Sequence, residues 1–460
     1  MFSPSGESPL LAGSVNALTL RLSVPGLTAM LASSLGVLLD AFFLSRCGAD
    51  AAAAAAFCFP LVTLLQTIGF TLGMGAGSLL SRAIGHGQSA AQDRAHSAAA
   101  AALYGAFALA CLCCALGQLF PAPLLRLLGA REALLVPAVA YARWVLIGGV
   151  LMCPALVLGS LLRGQGYTLP GMAAHGAGTL LGGALSFLFV SRLSLGITGA
   201  GAAMLAREAL ILLILSVCTL RIPGALRPKP GDIRLQRRIL TDIMRSGTPT
   251  LVRQGLMSVS SVLLSRSCAL LGTAAVAGMG AAQRVLGLVS ACIIGFLQGF
   301  SPVCGAAYGA GQAQRVKESY VFCRRVLLLS LLAAGVVVFF AAPSLMSRIA
   351  PDAQSARFGA LVLRAQSAVL CAQGAVLLMN ALTQSMGLPV RASLIASGRQ
   401  GYLLIPLLMV LPRFFGIAGI IIAQPVSDLL SLFIGWALVS GFTGFSFSPC
   451  GCCDARKASQ

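Results

Sequence analysis

Asp40 is the residue from which chemistry is most readily read. It stands in an otherwise apolar stretch, among Val37, Leu38, Leu39, Ala41, Phe42 and Phe43. A carboxylate in such surroundings costs roughly 2.5–3.5 kcal/mol at a bilayer centre, so acids placed there usually face a cavity and serve function. Burial favours the neutral acid, which suits a proton carrier. The competing structural reading is a helix-end residue paired with Arg46. Glu208 and Asp428 are the other acids within long apolar runs, each able to line a cavity, titrate or make a structural hydrogen bond. Arg207 adjoins Glu208, but sequence neighbours do not face each other on a helix. Arg284 and Arg399 are candidates for gating or ion pairing, and Gln254, Asn380 and Gln384 for a polar cavity lining. Pro25 precedes Asp40 by 15 residues, about 22 Å of ideal helix, and its missing N–H permits a kink.

The elements that must carry these side chains are transmembrane helices. Of 460 residues, 58% are hydrophobic and 10% charged, with mean hydropathy +0.91. Soluble chains are about half apolar and a quarter charged. Runs without charge, Ala51–Ser81, Ala98–Ala122, Val285–Gln314 and Ala365–Val390, exceed the ~20 residues a spanning helix needs. Apolar stretches between charges and turn signals predict an all-α polytopic membrane protein of about twelve helices. They fall near 14–45, 51–81, 95–120, 134–162, 168–191, 196–220, 243–270, 275–307, 318–342, 355–386, 391–411 and 414–442. The start, Met1 to Glu7, lacks a basic n-region, so the first helix is expected to drive insertion.

A net charge of +20 would suggest nucleic acid in a soluble protein. Here the basic residues gather, roughly two to one, after the even-numbered helices and at both ends, which predicts cytoplasmic termini. No RNA-binding signature argues for nucleic acid. The segments are a cytoplasmic N-terminus at 1–13, helices 1–6 in 14–220, a basic linker at 221–242, helices 7–12 in 243–442 and a tail at 443–460. The linker holds Arg227-Pro-Lys-Pro-Gly231, then Ile233, Ile239, Leu240 and Ile243, the pattern of a short amphipathic helix on the membrane surface. Cys450, Cys452 and Cys453 crowd the tail but lack the paired spacing of a zinc site, and no metal or cofactor is expected.

The two halves repeat. At a constant offset of 224 residues, Pro25 meets Pro249, Ser34 meets Ser258, Gly48 meets Gly272, and Gly75 meets Gly299. Gly85, Gly87 and Gln88 continue the register with Gly309, Gly311 and Gln312. Gly196-Ile-Thr-Gly199 parallels Gly416-Ile-Ala-Gly419, which sets Glu208 opposite Asp428. Six helices return the chain to its starting side, so the copies are parallel repeats about an axis along the membrane normal.

The order of motifs resembles the multidrug and toxic compound extrusion (MATE) family, bacterial branch. Leu38 to Gly48, Phe59-Pro60, Gly73-Met-Gly75 and Ser81-Arg-Ala-Ile-Gly85 look like that family's opening. Gln283-Arg284, Gln298-Gly-Phe-Ser-Pro302, Tyr308-Gly-Ala310, Gly398-Arg-Gln400, Ile405-Pro406 and Ala423-Gln-Pro-Val-Ser-Asp428 continue it. The resemblance implies a V-shaped, two-lobed secondary antiporter that exports organic compounds in exchange for protons or sodium. It places Asp40 at the helix-1 aspartate of cation coupling and Pro25 at a proline associated with bending of that helix. The chain departs where similar proteins carry an acid before proline in helix 5: it reads Ser186-Phe187, with Gly182 a turn earlier where Asn is expected. No carboxylate stands in helix 7 or the inner part of helix 10. Sodium wants several oxygen ligands while a proton needs one carboxylate, so protons are favoured. The expected setting is a bacterial inner membrane, with a monomer acting on small organic substrates. The alternatives are a lipid-linked oligosaccharide or polyisoprenoid flippase and, far behind, an intramembrane enzyme, for which neither His-Glu-x-x-His nor paired intramembrane aspartates are present.

Overall fold

The computed structural model describes residues 10–443 apart from 12, 48, 87–88, 128–131, 224–225, 233–236, 270–271 and 351. The tail cysteines therefore lie outside the described residues. The chain is helical throughout the described elements: α1 Val15–Arg46, α2 Ala49–His86, α3 Ser89–Leu119, the short α4 Pro121–Leu127, α5 Glu132–Gly164, α6 Leu169–Ser186 and α7 Gly196–Arg221, then α8 Arg237–Ala269, α9 Thr273–Gly309, α10 Ala313–Ile349, α11 Ala353–Ser367, α12 Leu370–Ser385, α13 Pro389–Ser397, α14 Leu404–Phe415 and α15 Ile417–Thr443. Five-residue-repeat turns, Phe187–Arg192 and Gly398–Tyr402, continue α6 and join α13 to α14.

Among the described residues, ten helical stretches are long and apolar enough to cross a membrane, or eleven if the bent pair α11 and α12 counts as one. The expectation of about twelve is one more, and α8 accounts for the difference. At 33 residues it is long enough, but Arg245, Arg253, Gln254 and Arg266 interrupt its apolar run. The 355–386 helix is a bent pair because the chain turns by 56° between α11 and α12. The expected surface helix after the linker is not a separate element. Ile239, Leu240 and Ile243 form the opening turns of α8 itself, with Ile239 and Ile243 buried, while Ile233 lies outside the described residues.

Two compact units divide the chain. The first holds residues 1–254, 290–319 and 385–387, and the second 255–289, 320–384 and 388–460. In the first, α5 is the central helix: it packs against α2, α3 and α7, while α6 lies on α1 and α7. Without a strong hydrophobic drive between helices in lipid, small residues and close van der Waals fit hold such bundles. α2 accordingly meets α5 through small residues; a methyl at Gly73 would stand 3.1 Å from the Val157 Cα.

The repeat register is visible as reciprocal contacts inside this unit. Gly75 on α2 packs against the backbone of α8 at Ile243 and Gly247, and Gly299 on α9 packs against Ser23 on α1. These are one contact seen twice, since Gly75 and Gly299, like Ser23 and Gly247, are 224 residues apart. Gly85 against Ala306 and Gly309 against Arg82 repeat the exchange a few turns further on. Two copies of a segment that touch through the same residues form a self-complementary, two-fold contact. Around the same place Arg82 donates to the Ser385 carbonyl at 3.3 Å and to Ser246 Oγ at 3.3 Å, tying α2 to α8 and to the end of α12.

Substitution of Gly75 or Gly299 by Leu is expected to cost about 1–3 kcal/mol through overpacking, read as a lowered Tm in detergent. Gly105→Leu, at a position with open space around it, should stay within about 0.5 kcal/mol. Equal tolerance at all three sites would remove the reciprocal contact as a packing constraint.

Candidate ion-coupling site

Asp40 is carried by α1, which shares a surface with α6. That surface is fixed by two polar tethers. Thr179 Oγ1 donates to the Ala32 carbonyl at 2.8 Å, and Ser33 Oγ lies 3.1 Å from His175 Nδ1. A side chain that bonds a carbonyl of the next helix sets the rotation of α1, and with it the direction of Asp40. Pro25 sits further back in the same helix, its carbonyl accepting from Thr28 Oγ1 at 2.9 Å.

Thus oriented, Asp40 meets Arg207 of α7; the side chain of Arg46 lies outside the described residues. The guanidinium Nη1 donates to Asp40 Oδ2 in a short ion pair. Its Nε donates to Glu208 Oε1 at 3.3 Å. This corrects the expectation that Arg207 and Glu208 point apart. The long arginine side chain is drawn toward Asp40, and its Nε then passes within reach of the neighbouring carboxylate. Asp40 retains 22% side-chain exposure, against 12% for Arg207 and 10% for Glu208.

Glycine makes the room. A methyl at Gly182 would lie 3.2 Å from Arg207 Cδ and 3.3 Å from its Cβ, and one at Gly178 would lie 3.3 Å from its Cγ. A methyl at Gly36 would stand 3.6 Å from Nη1. The guanidinium stem therefore runs through the space left by three missing side chains on α1 and α6. Ser186, at the place where an acid was expected from the resemblance, is 2% exposed and ends α6. The first unit thus holds a fixed organic cation between two carboxylates.

The second unit holds a different arrangement. Asp428 of α15 is fully buried and accepts from Arg399 Nε at 2.6 Å and from Gln366 Nε2 at 2.6 Å. Gln424 Nε2 approaches the same carboxylate at 3.4 Å. Arg399 lies on the widened turn Gly398–Tyr402, where Gly401 leaves helical geometry (φ −135°, ψ −107°). The loosened carbonyl of Arg399 is taken up by Ser427 Oγ at 3.0 Å, and that of Gln400 by Ser260 Oγ. One carboxylate faces one guanidinium, with amide donors completing the shell.

The remaining sequence candidates are placed elsewhere. Arg284 is exposed on α9 and joins neither cluster. Asn380 Nδ2 donates to the Ala392 carbonyl at 2.7 Å, a local tie between α12 and α13. Gln254 and Gln384 are buried. Among the described residues no group of His, Cys, Asp and Glu could hold a metal ion.

Breaking a buried pair leaves an uncompensated charge and typically costs 3–5 kcal/mol. Asp428→Asn is expected to lose stability on about that scale in a detergent melt, and Asp428→Asn with Arg399→Gln to recover most of it. Additive losses would show that the two side chains do not act as a pair.

Residues 25–188 and 249–410 each match the MatE family. The two matches begin at Pro25 and Pro249, the register in which the halves repeat. A FAD transporter of Shewanella oneidensis is 25% identical over 427 residues, covering 92% of this chain and 93% of that protein. The multidrug export protein MepA of Staphylococcus saprophyticus is 22% identical over 426 residues, with 91% and 93% covered. A MATE structure in complex with MaL6 shares the fold at a TM-score of 0.87 and 23% identity, over 93% of this chain and 96% of that one. A MOP-superfamily transporter from Pyrococcus furiosus shares it at 0.84 and 22%, over 94% and 97%. Both halves carry the family's pattern at a fixed separation, and the chain belongs to the MatE family of multidrug and toxic compound extrusion transporters.

Proposed function

We propose that the protein is a proton-coupled antiporter that exports organic compounds across a bacterial inner membrane, acting as a monomer with both termini in the cytoplasm. Family membership supports the transport class, and the name of the staphylococcal relative supports organic export. The Shewanella relative widens the substrate class to large, anionic cofactors. The observation that carries the coupling is the count of charges around Arg207. Two carboxylates, Asp40 and Glu208, share one guanidinium. With both ionised the cluster bears one net negative charge inside an apolar bundle, and one proton makes it neutral.

Asp40 is the group that exchanges that proton, because it keeps the larger exposure and sits on α1, the helix that contains Pro25. Protonation ends its ion pair with Arg207, leaving the guanidinium to Glu208 and α1 free to bend. Protonated Asp40 and bound substrate then compete for the outward-open state, which gives exchange. Sodium is disfavoured on two counts. It needs several oxygen ligands, and the space beside Gly178 and Gly182 is filled by the stem of Arg207. Energy is sufficient: one pH unit supplies about 1.4 kcal/mol per proton and 100 mV adds ~2.3 kcal/mol per charge. Together they sustain a gradient of roughly a few hundredfold for a neutral substrate exchanged with one proton.

In proteoliposomes, ethidium movement is expected under an imposed pH gradient and not under a sodium gradient at equal pH. Asp40→Asn and Glu208→Gln should each lower the pH-driven rate at least about tenfold, since removing either carboxylate leaves a neutral pair that needs no proton. Sodium-driven movement, or full pH-driven transport by Asp40→Asn, would overturn the coupling assignment.

A further inference from the structure

The first unit contains a cavity that the coupling cluster does not use. It measures about 1350 Å³ and lies at the end of the bundle where α1, α2, α3 and α7 meet the start of α6 and the linker. Drug-sized sites are usually ~300–1,000 Å³, so this one has room for a larger amphiphile. Its wall is apolar, with Leu18 and Leu22 from α1, Leu80 and Ile84 from α2 and Met172 from α6. Its rim is basic: Arg21, His96, Arg227 and Lys229 all line it and are exposed. None of the four side chains makes an ion pair or hydrogen bond among the described residues. Among the described residues the one acid on the rim, Asp232, is engaged by its own turn, accepting from the Lys229 backbone N–H at 3.0 Å.

The linker is held in place as a wall of this cavity. Leu226 donates its backbone N–H to Gln165 Oε1 at 2.7 Å, and Tyr167 donates its hydroxyl to the Pro223 carbonyl at 3.4 Å. Leu226 itself is buried. Arg227 and Lys229 are therefore anchored at the cavity by their neighbours, on the same lining as Arg21 and His96. A merely solvated basic loop would need neither the two hydrogen bonds nor the apolar floor.

We infer that this cavity is a binding site for an anionic phospholipid of the cytoplasmic leaflet, with the phosphate held by Arg21, His96, Arg227 and Lys229 and the acyl region laid along Leu18, Leu22, Leu80 and Ile84. The side of the membrane rests on the orientation proposed above. Each basic residue near an anionic lipid surface is worth about fivefold in affinity. An apolar wall beneath a basic rim favours a lipid over a free anion, because only the lipid fills both parts.

The test is lipid retention by the purified full-length protein, followed by native mass spectrometry with phosphatidylglycerol and phosphatidylcholine offered together. The wild type should retain phosphatidylglycerol at least about tenfold better, and Arg21→Gln/Arg227→Gln/Lys229→Gln should lose most of that preference. Arg21→Gln alone should lose an intermediate share, and Arg21→Lys should keep it. Arg237→Gln/Arg238→Gln, on the exposed start of α8 outside the cavity, should leave it unchanged. Unaltered preference in the triple variant would overturn the site. An equal loss in the α8 variant would do the same, by assigning the preference to basic charge in general. Displacement by millimolar inorganic phosphate would overturn the lipid assignment in favour of a soluble anion. The assay reads binding without transport, so its failure is separate from failure of the antiport reading.

Discussion

A guanidinium shared by two carboxylates inside a helix bundle is the interaction on which the rest of the first unit depends. Charges are costly in that setting unless paired and hydrogen-bonded. Arg207 reaches Asp40 only because α6 offers glycines at 178 and 182 along its path. α1 presents Asp40 toward α7 only because Thr179 and His175 hold its rotation. The bundle thus brings together one cation and two anions and leaves the balance to be completed from outside. The second unit closes its own balance, with Asp428 and Arg399 matched one to one and amides filling the remaining positions. A matched pair has no need of a mobile ion. That difference underlies the titrating role proposed for the first cluster and not for the second.

The helix packing shows how an internal repeat is used. In the first unit, helices from both copies touch through the same residues in exchange, Ser23 with Gly299 and Gly247 with Gly75. Conserving one register through duplication secures two contacts at once. It also explains why small residues persist at these positions in both copies: each must admit the backbone of a neighbouring helix, and a side chain on either would separate them.

Much of this was legible in the sequence. Composition and charge-free runs identify the spanning helices, and the offset of Gly and Pro identifies the repeat, because both depend on local residue identity alone. Asp40 was legible for the same reason, as an acid where acids are expensive. Its partner was not. Arg207 adjoins Glu208, and helical periodicity separates adjacent residues by about a quarter turn. Only the flexibility of the arginine stem, together with glycines 25–29 residues away on another helix, brings its two nitrogens to two acids. The pairing of Arg399 with Asp428 was equally hidden, since it depends on a widened helical turn at Gly401. The sequence offered one clue in Gly182, which stood where the resemblance led one to expect Asn. A missing side chain signals space, and here the space is taken by Arg207. The linker misled for the opposite reason. Its apolar residues have the period of a surface helix, but Ile239 and Ile243 are buried as the start of α8.

The charge count around Arg207 is tested most directly by measuring protons released when ethidium binds the purified protein. Calorimetry in buffers of differing ionisation enthalpy reads that number without requiring transport. One proton released per ligand bound by the wild type, and none by Asp40→Asn, is the predicted result. Binding without proton release in the wild type, or with the same release in Asp40→Asn, would contradict it.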